Sequence, residues 1–194
     1  MAIGLSRREG LRVMEAFIQC QQSSIEPPAQ REVTLRAAIE VVRSAGALRI
    51  EMMARQMWIG ALWEIGQRDR ARAEAAIVSA EAKRRGLRQT ASIVALQAAC
   101  WAVEEDDWDR ADQYRCAAVA AGALTGAIPE RALSAALSLI LALARGHEPA
   151  AVEALDPLLR SGRGYGESTF RELVARAAAM APPALAPRIR EVLA

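Results

Sequence analysis

Asp106-Asp-Trp-Asp-Arg-Ala111 decides how this chain is read, because looser copies stand one fixed step to either side of it. Gly66-Gln-Arg-Asp-Arg-Ala71 lies 40 residues before it and Gly146-His-Glu-Pro-Ala-Ala151 lies 40 residues after. Gly46, Gly86, Gly126 and Gly166 form a second ladder with the same 40-residue step. Self-similarity at a fixed period of roughly 20 to 50 residues marks a chain built from stacked supersecondary units.

The punctuation fits helix-end chemistry. Gly46, Gly86 and Gly126 each follow an apolar periodic stretch, where a glycine can take the left-handed conformation that closes a helix, and Gly66 and Gly146 do the same for the intervening helices. Pro27, Pro28 and Pro149 mark helix starts, since a first-turn proline loses no hydrogen bond. Asp106 or Asp107 serves as N-cap in the middle unit. Ser6-Arg-Arg-Glu9 and Thr169-Phe-Arg-Glu172 read as capping boxes. The predicted helices are 7–23, 28–45, 48–65, 69–85, 90–104, 108–122, 129–144, 149–160, 169–180 and 184–193. Alanine supplies much of the 53% hydrophobic content, which favours an all-α chain.

Small residues recur where two helices must approach. Ala71, Ala111 and Ala151 are followed by Ala75, Arg115 and Leu155, then by Val78, Ala118 and Leu158. Spacings of four and three keep each set on one helix face. Arg115 departs from the pattern, and its aliphatic stem can cover apolar surface while its head stays wet. In the first unit Arg31 stands where the alanine belongs, and Leu35, Ala38 and Val42 restore the face.

The hexapeptide resembles the turn of the tetratricopeptide-repeat family, whose units are antiparallel helix pairs joined by Gly-Asp-Tyr/Trp-x-x-Ala. The resemblance covers about residues 47 to 160. It departs from the family in its longer step and in Arg55, Ala95 and Ala135, which stand where a large aromatic belongs. Units of this length are similar to the divergent repeats in sensor regions of large bacterial transcription activators. The resemblance implies an α-solenoid of about four antiparallel helix pairs in a right-handed superhelix plus a terminal helix. Residues 1–194 are expected to form one helical-repeat domain, with units at about 6–45, 46–85, 86–125 and 126–165 and capping helices over 166–194.

Charge and cysteine content narrow the function classes. The chain carries 25 basic and 23 acidic residues, a net charge of +2 with no sustained basic stripe, so nucleic acid binding is not expected. The arginines behind Met1 have no apolar segment after them, so no signal peptide is expected. The longest apolar runs, Ala91 to Val103 and Ala132 to Ala144, fall short of the roughly 18 residues needed to cross a bilayer. Cys20, Cys100 and Cys116 lack metal-ligand spacing, which suits reduced thiols in a cytoplasmic protein.

No catalytic constellation emerges. His147 is the sole histidine and falls in a predicted turn. Glu104, Glu105, Asp106, Asp107 and Asp109 cluster at a helix start, and Lys83, Arg84 and Arg85 at a helix end, each where the helix dipole favours that sign. Gly162-Arg-Gly-Tyr-Gly166 lacks the Gly-Lys-Ser/Thr ending of a phosphate loop. The expectation is a protein with no enzymatic activity, cofactor or metal.

Trp58, Trp63, Trp101 and Trp108 concentrate in the central units, and Trp108 matches the turn aromatic. Carried over from the family, the groove-lining positions of the first helices are Gln56, Gly60, Trp63 and Glu64 in one unit, and Leu96, Cys100, Val103 and Glu104 in the next. Such a groove implies a partner protein or peptide segment carrying a basic residue. Two other readings stay open: a ligand-sensing regulatory domain that controls assembly or transcription, and homo-oligomerisation through the apolar end helices, particularly the alanine-rich 180s region and Ile189 to Leu193.

Overall fold

A computed structural model describes residues 7–123, 126–162 and 168–193, and among these the chain is all-α, with no strand. Its helices are α1 (Arg7–Ser23), α2 (Pro28–Ser44), α3 (Leu48–Glu64), α4 (Arg68–Arg85), α5 (Arg88–Glu104), α6 (Trp108–Ala121), α7 (Ile128–Ala144), α8 (Glu148–Gly162), α9 (Ser168–Met180) and α10 (Ala186–Arg190), followed by a 3₁₀ turn at Glu191–Leu193. Each boundary lies within two residues of its expected place, the last predicted helix dividing into α10 and the 3₁₀ turn.

The two glycine ladders merge into one with a 20-residue step. Gly46, Gly66, Gly86 and Gly146 are left-handed, with φ of 67°, 78°, 65° and 68°, and Asp106 joins them at 58°. At each rung the same pair of hydrogen bonds closes the preceding helix. The amide of residue 46, 66, 86, 106 or 146 donates three residues back, and the next amide donates five residues back, at 2.8–2.9 Å to Val42, Leu62, Ala82, Ala102 and Ala142. This double bond is the Schellman closure, which satisfies carbonyls that the helix end would leave bare. Asp107, rather than Asp106, is the N-cap of α6, its carboxylate accepting from the Arg110 amide at 3.1 Å.

Position 126 is a correction. Gly126 is not left-handed; Gly122, with φ of 110°, closes α6 four residues earlier, its amide donating to Val119. α6 is shorter than its counterparts, and the first glycine it reaches can already adopt the closing conformation. Gly166 and Ser6 lie outside the described residues. α9 begins at Ser168, so Thr169 sits inside its first turn instead of preceding it as an N-cap.

The chain divides into two compact units, Met1–Thr90 and Ala91–Ala194. In the first, α3 packs on α1, α2 and α4. Its sequence is apolar nearly all round, and a helix of that kind belongs in an interior. No α3 residue between Ile50 and Trp63 is exposed. In the second unit α7 has the same role against α6, α8 and α9, with Leu137, Leu139 and Ile140 fully buried. The expected faces are present: Ala71, Ala111 and Ala151 are inaccessible, as are Val78, Ala118, Leu155 and Leu158. Arg115 keeps its head at the surface, donating to Asp112 Oδ1 at 2.7 Å. Arg31 is compensated by Glu64, 2.9 Å away.

The C-terminal end differs from expectation. Leu185, Ala186, Ile189 and Val192 are buried, because α10 folds onto α9 and the 3₁₀ turn packs on α8 and α9. Exposed large apolar side chains include Leu11, Met14 and Ile18 on α1, Ile25 in the turn after it, Ile77 of α4 and Met180 at the end of α9.

Candidate interaction surface

Of the residues assigned to a groove, Gln56, Trp63, Leu96 and Cys100 are buried. Leu96 and Cys100 of α5 are core residues of the second unit. Gln56 of α3 is buried in the first. Glu64 and Glu104 are exposed at the ends of their helices, and Glu64 is engaged by Arg31. Trp63, expected as an exposed anchor, is only 9% accessible.

Two arginines lie over the Trp63 ring. The left-handed turn at Gly66 returns the chain so that the start of α4 lies over the last turns of α3. The guanidinium carbons of Arg68 and Arg72 stand 4.9 and 5.3 Å from the Trp63 ring centre, and that of Arg70 stands 5.7 Å from Trp58. Trp58 is fixed from its other edge: its indole N–H donates to Glu32 Oε1 at 3.2 Å, and Arg36 lies 3.8 Å from the same oxygen. Arg70 also donates to Gln67, and Arg72 is 3.4 Å from Asp69. All three arginines are exposed. The N-terminal turns of a helix disfavour cations, so the indole faces offset part of the cost of clustering them there. A stacked guanidinium keeps its edge N–H donors directed outward in a rigid fork that matches a carboxylate.

Elsewhere the charge clusters are answered internally. Arg176 bonds to Asp106 and to the Val103 carbonyl at 2.8 Å, and lies 5.1 Å over Trp108, which is partly buried. Arg145 bonds to Asp112 at 2.8 Å and approaches Asp109 at 3.6 Å. Burial alone would raise the Asp112 pKa, but hydrogen bonds from Arg145 and Arg115 outweigh it and hold the carboxyl below its ordinary value. Arg84 and Arg85 both pair with Glu81, whose carboxyl is lowered by those hydrogen bonds. His147 is exposed in its turn. Among the described residues, no group of His, Cys, Asp and Glu is placed to hold a metal, and no helix is long and apolar enough to cross a membrane.

The residues that sequence reasoning passed over are Arg68, Arg70 and Arg72. Their signal is local: three cations in the first turns of a helix, against its dipole. No protein-family model, curated protein or solved structure matches the chain.

Proposed function

We propose that the chain is a non-enzymatic protein-interaction module whose first unit docks an acidic segment of a partner protein at the start of α4. The observation that carries this reading is the set of exposed arginines that lie over Trp63 and Trp58 at the start of α4. Arginine and tryptophan are the residue types most enriched where binding energy concentrates. The proposal keeps the adaptor class suggested by the tetratricopeptide-like turn, and inverts the charge of the partner, since Glu64 is occupied by Arg31.

The test is fluorescence anisotropy of a labelled Glu/Asp-rich peptide against the full chain, with a Lys-rich peptide as control. The acidic peptide should bind, weaken as salt rises, and lose at least tenfold in affinity in the Arg68→Ala/Arg72→Ala variant, while far-UV circular dichroism is retained. Equal binding of both peptides, or no loss in the variant, would refute the assignment.

A further inference from the structure

We propose that α1 is a homodimerisation helix, on which two copies of this chain pair antiparallel through Leu11, Met14 and Ile18. This goes beyond the acidic-segment reading and uses a different face of the first unit. Val13, Ala16, Cys20 and Ser23 of α1 are buried, and α1 packs on α2 and α3. The opposite side is apolar and open: Leu11, Met14 and Ile18, at spacings of three and four, are 59%, 56% and 46% exposed. Such a stripe on a helix is what a partner helix normally covers.

The charges beside the stripe select a second copy as that partner. Arg12 and Glu15 are both exposed on one flank, and neither has an ion-pair partner among the described residues. A two-fold axis near residues 14 and 15, perpendicular to the helix, brings the same flank of each copy together. Leu11 of one copy then meets Ile18 of the other, Met14 meets Met14, and Arg12 meets Glu15 on both sides of the axis. At a rise of about 1.5 Å per residue, Arg12 and the opposing Glu15 stand about 3 Å apart along the helix direction. Parallel two-fold pairing would instead place the two copies of this flank on opposite sides of the interface, where Arg12 and Glu15 do not meet. The interface is isologous, the commonest closed symmetry for soluble oligomers. With three apolar side chains per copy it falls at the small end of specific interfaces.

Sedimentation velocity of the full chain over a wide concentration range tests this. The wild type should pass from monomer to dimer, and Met14→Glu should remain monomeric with an unchanged circular dichroism spectrum and undiminished acidic-peptide binding. Arg12→Glu and Glu15→Arg should each weaken the dimer by about tenfold, since each sets two like-charged pairs across the axis. The double variant Arg12→Glu/Glu15→Arg should restore it, which a merely structural role for these residues would not do. In a Cys116→Ser background, Met14→Cys should form an intermolecular disulfide under mild oxidation. A wild type that stays monomeric, a dimer that survives Met14→Glu, or a double variant as weak as the single ones would overturn the proposal. So would binding of the monomer to anionic lipid vesicles through this same face.

Discussion

Replacing Gly66 by alanine isolates the backbone cost of a single rung of the ladder. Gly66 has φ of 78°, and a Cβ built on it meets nothing within 4 Å, so no packing clash contributes. An alanine held in the left-handed region costs about 1–2 kcal/mol. Part of this is offset, by about 0.4–1 kcal/mol, because alanine restricts the unfolded chain. The net expectation is a loss of about 1 kcal/mol, or a shift of about 0.5 M in a urea midpoint. Gly10 is the internal control: it lies within α1 of the same unit, without a left-handed φ and with open space around its Cβ position. Gly10→Ala should stabilise by about 0.5–1 kcal/mol, through helix propensity alone. Gly66→Asn should cost less than Gly66→Ala, since asparagine tolerates the left-handed region. Urea titrations followed by far-UV circular dichroism measure all three. The reasoning fails if Gly66→Ala and Gly10→Ala move the midpoint in the same direction, or if asparagine is no better than alanine at position 66.

Trp63→Ala should destabilise the first unit by about 3–5 kcal/mol, because the ring is almost wholly covered and its loss leaves a cavity; urea denaturation checks this, and near-wild-type stability would return Trp63 to the surface. Thiol titration of the folded chain should show rapid reaction at exposed Cys116 only, with Cys20 and Cys100 reacting after unfolding; burial both shields Cys20 and raises its thiol pKa despite a backbone hydrogen bond that lowers it. The lowered pKa of Asp112 contributes stability that is complete above the ordinary aspartate value of 3.8 and is lost as pH falls through the lower folded value. Asp112→Asn should therefore cost stability at neutral pH and flatten the acid limb of a melting-temperature profile below about pH 4; an unchanged limb would show that Arg145 and Arg115 do not hold that carboxylate.

Much of the helix map was legible because helix closure is chemistry within about six residues. The Schellman bonds run from residue 47 to 42 and from 147 to 142, so apolar stretch followed by glycine is enough to place the stop. The same locality explains why Asp106 was harder to read: an aspartate is both a good N-cap and a tolerated left-handed residue, and only the position of Asp107 decides between them. Gly122 and Gly126 are equally able to close α6 by sequence, and the choice follows from where the helix hydrogen bonds run out. The groove assignment depended on which side of α3 and α5 is open. Their compositions gave little guidance, since apolar and small residues occupy almost every side of both helices.

The sequence by itself determined the period, the helices and the faces that carry Ala71, Ala111 and Ala151, because these follow from hydrogen bonding and side-chain spacing along one stretch of chain. Only the tertiary structure decided which apolar residues are consumed and where each charge is placed. Trp63 became a platform for Arg68 and Arg72, the end at Ile189 was buried, and the stripe on α1 was left open. Burial and ion pairing depend on neighbours brought from other helices. A repeated pattern names the helix faces, and folding chooses among them.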